Sequence, residues 1–219
     1  MPEARDPDVA GLVLAAGASS RMPGGSKLLC SWRDGTVIGS VLDSARRAGL
    51  VPIGVVVDPR AGELLPHLDA AGAWRIPHPE WRRGRASTLA AGLDALASAT
   101  DAVAAVVLLG DEPEVSAPVI RAVIDGWRGS GCGMARARYR DRPGHPVLLA
   151  RDSWPRAVEL RGETSVWNRL EAAGLPVREI PVDQLAPIDV DDPASLAAAR
   201  ARLAGIPVPK PSSEFGTGT

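Results

Sequence analysis

The sequence predicts an α/β protein, a three-layer α/β/α sandwich around a mostly parallel sheet. Three observations carry that prediction. Val9–Ala15 and Ala102–Leu109 are continuous apolar runs without alternation, as expected of strands buried on both faces. Segments of helical spacing alternate with short β-branched runs along the whole chain, at the pace of βαβ units. Both apolar runs end abruptly in glycine and charge, and ligands of such sheets sit beyond the carboxyl ends of strands.

Taken in order, Val9–Ala15 is a strand. Val37–Ala48 is a helix by its spacing of Val37, Ile38, Val41, Leu42 and Ala45, stopping before Gly49. Ile53–Val57 is a strand closed by Asp58-Pro59. A helix over Ala61–Ala71 breaks near Pro66, and Trp74–Ile76 is a short strand. Ser87 is a candidate N-cap for a helix over Thr88–Ala99, and Ser116 for one ending at Trp127. Strands follow at Ala102–Leu109 and Gly133–Tyr139, and "RDRPGHP" reads as a loop before a short strand at Val147–Leu149. Helices at Ser153–Leu160 and Thr164–Ala173 precede strands at Val177–Val182 and Ile188–Val190. An Ala- and Arg-rich helix over Pro193–Leu203 closes the fold, with Pro193 suited to its first turn. Residues 1–206 are expected to form one domain. The tail 207–219 reads as irregular, and its "EFGTGT" ending resembles vector-derived sequence.

Composition narrows the function. Twenty-five basic and 26 acidic residues leave a net charge of −1, so any anion site is local and no wrapping of nucleic acid is expected. "MPEARDPDVAG" lacks an apolar signal core and no apolar run reaches membrane length, so a cytoplasmic protein without membrane contact is expected. Cys30 and Cys132 make neither a disulfide framework nor a metal cluster.

The stretch after the first strand, "LVLAAGASSRMPGGSKLL", sets two isolated cations, Arg21 and Lys27, in a backbone of Gly, Ala and Ser. Small residues let backbone amides approach an anion, and the two cations would meet neighbouring phosphate oxygens. A Walker A loop is excluded because Ser26 separates Gly25 from Lys27 and Leu28 follows. A dinucleotide fingerprint is excluded because Ala18-Ser19 follows Gly17 where a second glycine is needed. By itself the loop fits an anion cradle and an ordinary turn with two solvated cations equally well.

Resemblance separates the two. "LAAGASSRM" followed by "KLL" resembles the signature L-A-(A/G)-G-x-S-x-R-M-(G)-x-x-K of the MobA-like nucleotidyltransferases, the molybdenum cofactor cytidylyltransferase family. "GRASTLAAGL" at Gly84–Leu93, "LLGDEPEV", "RPGHPVLL" at Arg142–Leu149 and "IDVDDPASL" resemble the family's later segments in the same order. The resemblance implies a Rossmann-like sheet of the nucleotidyltransferase type and Mg²⁺-dependent transfer of a nucleoside monophosphate from an NTP, with release of pyrophosphate. It implies that Leu14, Ala15, Ala16, Gly17, Ala18, Ser19, Ser20, Arg21 and Lys27 hold the triphosphate. Ser87 and Thr88 would lie near base and ribose, although Ser87 also reads as a helix cap, and Gly110 belongs to the "LLGDEPEV" motif.

Position and resemblance together make Asp111, at a strand end, the best carboxylate for Mg²⁺. Arg21, Lys27 and Asp111 are thus the expected catalytic set. The family motif favours Asp191 as second ligand and Asp189 next; on a strand the two would share a face, while Asp192 suits a helix cap. His145 matches the family's histidine and is expected to shape an acceptor pocket. Arg82, Arg83 and Arg85 form a basic knot, either a solvated loop or a landing place for an anion. Trp74, Trp127 and Trp167 are expected in the core.

Ala16, where guanylyl members carry Gly, resembles the cytidylyl branch and implies CTP over GTP, with molybdopterin as acceptor. A molybdoenzyme or its chaperone is the partner this implies. Three features depart from the family. Glu112 replaces the Gln of G-D-Q-P, "RGETSVW" (Arg161–Trp167) stands where G-D-x-G-A-R is usual, and the loop carries Pro23 and one extra residue before Lys27. A guanylyltransferase, a transferase with another acceptor, a nucleotide-binding partner without transferase activity and an NAD(P)H-linked reductase are the alternatives. The missing dinucleotide fingerprint counts against the last.

Overall fold

The two apolar runs become neighbouring central strands. β1 (Val9–Leu14) lies parallel to β6 (Ala104–Leu109) on one side and to β4 (Ile53–Val57) on the other. The computed structural model describes residues 8–17, 21–23, 25–159 and 166–206. Ala18, Ser19, Ser20, Gly24, the Arg161–Ser165 part of "RGETSVW" and the tail from Pro207 lie outside the described residues. Among the described residues the main sheet has seven strands in the order β5-β4-β1-β6-β8-β7-β9, with β5 at Trp74–Pro77, β7 at Met134–Arg138, β8 at Pro143–Ala150 and β9 at Val177–Pro181. Only β8 is reversed: it pairs antiparallel with both β6 and β7, while β7 and β9 are parallel.

Helices cover both faces, which gives the expected three layers. Val9 and Val13 of β1 pack with α1 (Val37–Arg47), α2 (Leu65–Ala70) and α4 (Ala117–Trp127). Ala10 and Leu12 point to the opposite core with α3 (Arg85–Ala99), α5 (Trp154–Glu159) and α6 (Val166–Ala172). This is why the strand sequence shows no polar alternation: successive side chains enter two different cores. The α1 face is the one its spacing predicts, and Thr36 caps it by accepting from Gly39 N at 3.2 Å. A small hairpin of β2 (Ser31–Trp32) and β3 (Gly35–Thr36) packs with α7 (Pro193–Leu203) through Trp32, Val190 and Leu196. No described helix is long and apolar enough to cross a membrane.

Four expectations need correction. "RPGHP" is not a loop but the first half of β8. The ladder shifts between Arg136 and Ala137, so His145 and Pro146 stand opposite an irregularity. β6 pairs only with Val147–Ala150, which leaves the two prolines outside that ladder, where a missing N–H breaks no bond. Ile188–Val190 is not a strand. Ser87 does not cap α3: the helix starts earlier, at Arg85, after Gly84 turns the chain at φ 100°, a conformation open mainly to glycine. Finally, Trp74 is exposed and Trp127 and Trp167 only partly buried, whereas Trp32 and Trp154 are the tryptophans of the interior.

The site follows from this topology. The chain runs outward from β1 to β4 and β5, then crosses to β6 on the other side of β1. The carboxyl ends of β1 and β6 therefore form a switch point, where open α/β sheets bind ligands. Because β8 is reversed, its beginning at Pro143–Pro146 lies at the same edge.

Candidate active site

A cleft of about 320 Å³ opens at the switch point. Leu14, Ala15, Ala16 and Gly17 from the end of β1 line it, with Arg21 and Lys27 from the following loop and Asp111 just past β6. Thr88 and Arg85 from the start of α3 and Asp191 from the segment before α7 complete the ring that matters chemically. Two backbone bonds set this register. Gly110 N donates to Leu14 O at 3.0 Å, joining the strand ends, and Val190 N donates to Asp111 O at 2.9 Å, bringing Asp191 beside Asp111.

The approach to α7 is held rigidly. Asp192 accepts from Ser195 N at 2.7 Å, and Ser195 Oγ accepts from the amides of Asp191 and Asp192 at 2.9 and 3.0 Å. That is a capping box, as expected for Asp192. Glu114 fastens the same segment by accepting from Ile188 N at 2.8 Å and from Arg202 at 2.8 and 2.6 Å.

Charges pair across the cleft. The Lys27 ammonium donates to Asp111 and, at 2.6 Å, to Asp191, while Arg21 meets Asp191 at 2.9 Å. Burial alone would lower the Lys27 pKa, but the charge of Asp111 and the hydrogen bonds to both carboxylates raise it above the lysine range. For Asp191, burial works against ionisation, yet the bond to Lys27 and the charges of Lys27 and Arg21 hold the carboxyl below its usual range. Lys27 and Asp191 are therefore both charged at neutral pH.

These residues fit a magnesium ion bound with its substrate. Asp111 and Asp191 direct hard oxygens at one point that a single ammonium spans, and Mg²⁺ favours one or two carboxylates completed by phosphate oxygens and water. Among the described residues no group of three or more His, Cys, Asp or Glu forms a metal cage, so substrate oxygens would supply the remaining ligands. Asp189 does not join this pair. Without a strand at 188–190 it does not share a face with Asp191; it lines a second cavity and forms a hydrogen bond with Glu112. Burial first, then the negative charges of Glu112 and Asp111, push its pKa up to about 6.

The second cavity, about 200 Å³, adjoins the cleft and shares Arg85 and Leu109 with it. His145 lies here, with Nδ1 3.5 Å from Glu112 Oε2 and its ring edge-on to Trp167 at 5.9 Å between centroids. Of the other expected binding residues, Thr88 reaches the cleft while Ser87 bonds to His78 Nε2 at 2.6 Å and is absent from the cleft's lining. Gly110 acts through its backbone bond, and the basic knot divides. Arg83 pairs with Glu80, Arg82 stacks over the Trp81 ring at 4.5 Å, and Arg85 stands between the two cavities. Trp81, a cleft wall hydrogen-bonded to Asp58, was not expected; its place next to the basic knot was the available signal.

The switch-point cleft thus faces two cations with two carboxylates on a Rossmann-like sheet, and comparison with known proteins gives the class, a nucleotidyltransferase. The chain belongs to the MobA-like NTP transferase family, whose domain it matches over residues 11–180. It is similar to the Rv0371c protein of Mycobacterium tuberculosis, at 33% identity over 87% of this chain and 96% of that one, with a TM-score of 0.76. A second structure of Rv0371c, in complex with manganese, matches at 31% identity over 88% and 97% of the two chains, with a TM-score of 0.72. CMP:2-keto-3-deoxy-manno-octonic acid synthetase, solved with CTP, shares the fold at 19% identity over 90% and 99% of the two chains, with a TM-score of 0.74. No curated protein matches the sequence.

Proposed function

We propose that the protein transfers CMP from CTP to a phosphorylated acceptor, molybdopterin, and releases pyrophosphate. One observation carries this reading: Arg21 and Lys27 face Asp111 and Asp191 in a cleft that adjoins a second cavity through Arg85. An acceptor phosphate oxygen attacks the α-phosphorus of the nucleotide, the α–β bridge bond breaks, and pyrophosphate leaves with its electrons. Lys27 and Arg21 neutralise the triphosphate, and Arg85 meets the two reacting groups where the cavities join. The acceptor phosphate is already ionised, so no general base is required. Asp111 and Asp191 would hold Mg²⁺, which when bound neutralises phosphate charge; the manganese complex of Rv0371c supports a divalent ion.

Ala16 in the cleft wall supports cytosine over guanine, by the family resemblance described above. Another acceptor is the second reading, favoured by Glu112 at the family's glutamine and by the altered segment before Trp167. The proposal includes one domain over residues 1–206, a cytoplasmic location, no membrane or nucleic-acid contact, and delivery of product to a molybdoenzyme or its chaperone. The test is pyrophosphate release with Mg²⁺ and molybdopterin, comparing CTP, GTP, ATP and UTP. Release with CTP above the others is expected; no release with any nucleotide overturns the transferase reading of the cleft.

A further inference from the structure

We propose that Glu114 is a positioning residue for the metal site: it places Asp191 through the backbone of the strap 186–191 and so sets the affinity for the divalent ion. The turn 110–114 after β6 carries three carboxylates in three different surroundings. Asp111 lines the cleft, Glu112 lines the second cavity, and Glu114 lines neither. Its side chain, 15% exposed, turns toward the strap and α7. Oε2 accepts from Ile188 N at 2.8 Å and from Arg202 Nη2 at 2.6 Å, and Oε1 accepts from Arg202 Nε at 2.8 Å.

The strap is irregular, so its amides find partners one by one instead of in a ladder. Glu114 takes Ile188 N, the Asp111 carbonyl takes Val190 N at 2.9 Å, and Ser195 Oγ takes Asp191 N at 2.9 Å. The turn that carries one carboxylate of the pair therefore also holds the backbone leading to the other. α7 braces this arrangement from both ends. Ser195 in its first turn holds Asp191, and Arg202 in its last turn holds Glu114 and, at 3.0 Å, the Ala186 carbonyl. Asp111 and Asp191 converge on one point, since the Lys27 ammonium bonds both. Mg²⁺ demands near-ideal octahedral geometry, so its affinity follows the separation of those two carboxylates. A carboxylate is required at position 114 because an amide and a guanidinium both donate to one oxygen. Glutamine in one orientation would oppose both donors with its NH₂ group, and flipped it would oppose Arg202 Nε. The inference rests on Asp111 and Asp191 as metal ligands, which is part of the transferase reading.

The test titrates the full chain with Mn²⁺ alone and measures the free ion by electron paramagnetic resonance, which gives both the affinity and the number of sites. Glu114→Gln is expected to raise the Mn²⁺ Kd about tenfold with the number of sites unchanged, the lower end of what supports of metal ligands contribute. A merely structural role would unfold part of the sample, lowering the number of sites without moving the Kd of the rest. Arg151→Met is the control. Its guanidinium bonds the carbonyls of Ala97, Thr100 and Ala102 at the end of α3 away from the cleft, so its loss should lower the urea midpoint and leave the Kd in place. An unchanged Kd in Glu114→Gln, a loss of sites alone, or an equal rise in Arg151→Met overturns the proposal. Should Glu114→Gln not fold, Arg202→Met decides: a smaller rise in Kd supports the proposal and an unchanged Kd overturns it. Wild-type protein that binds no Mn²⁺ yet releases pyrophosphate with Mg²⁺ would remove this inference and keep the transferase reading. The Kd shift in Glu114→Gln without pyrophosphate release by the wild type would do the reverse.

Discussion

Lys27→Met tests the charge arrangement at the centre of the cleft. The ammonium holds two carboxylates together, and the side chains of Lys27, Asp111 and Asp191 are 14%, 15% and 26% exposed. Hydrogen bonds to charged groups are worth about 1.5–3 kcal/mol each, and two are lost. Two effects offset part of that loss: Arg21 still binds Asp191 at 2.9 Å, and methionine removes the desolvation cost of the ammonium. A destabilisation of about 2–3 kcal/mol remains, read as a shift of the urea midpoint at pH 7.

The pH dependence has a definite sign. The raised Lys27 pKa means its contribution is complete below about pH 10.4 and fades only as pH rises through the folded value. The depressed Asp191 pKa means its contribution is complete above about pH 3.9 and fades as pH falls through the folded value. The gap between wild type and variant is therefore constant near neutrality and narrows in acid. With the ammonium gone the two carboxylates repel, so Mn²⁺ should raise the variant's midpoint more than the wild type's. Pyrophosphate release should fall by about 10²–10³. Equal urea midpoints for the two proteins, or a variant indifferent to Mn²⁺, would refute the reasoning.

Three further outcomes are expected. Asp111→Ala should abolish pyrophosphate release while the thermal midpoint shows a folded protein; full activity would remove Asp111 from the metal site. Burial lowers the pKa of His78, whose Nε2 meets Ser87, so the unfolded chain takes up the proton first and stability should drop as pH falls below about 6.5. Comparing urea midpoints at pH 7.5 and 5.5 should show a smaller loss in His78→Gln than in the wild type. Gly92→Val forces side-chain atoms into a space where even a Cβ would sit 2.5 Å from Leu12 Cδ1 and 2.9 Å from Val56 Cγ2. It should cost about 1–3 kcal/mol, and an unchanged midpoint would show that α3 can move off the sheet.

The parts of the fold legible in the sequence were those that a local pattern decides. β1 and β6 show as unbroken apolar runs, α1 as a helical stripe, and Asp192 as a cap before Pro193. The strand β8 was hidden because Pro143 and Pro146 argue against a central strand. They are tolerated because the ladder between β6 and β8 stops at Val147 and leaves both outside it, a fact of tertiary register. Ser87 looked like a cap because serine often is one, but the turn at Gly84 had already started the helix. Asp111, Arg21, Lys27 and Asp191 were legible from strand ends and motif, and they meet. Asp189 was misplaced by assuming a strand's two-residue period in a segment that Glu114 and the α7 cap hold irregular. Trp167 read as core because it follows apolar spacing, and only the tertiary fold sets its ring beside His145.

The reversed strand β8 divides the two halves of the site between different parts of the chain. The cleft hangs on the carboxyl ends of β1 and β6, the second cavity on the first residues of a strand running the other way and on its turn from β7. On the proposed function, lengthening or rewriting that turn would change which acceptor fits and leave the loop after β1 untouched. A lineage could exchange one partner substrate for another in this way, with the energy-supplying substrate held fixed.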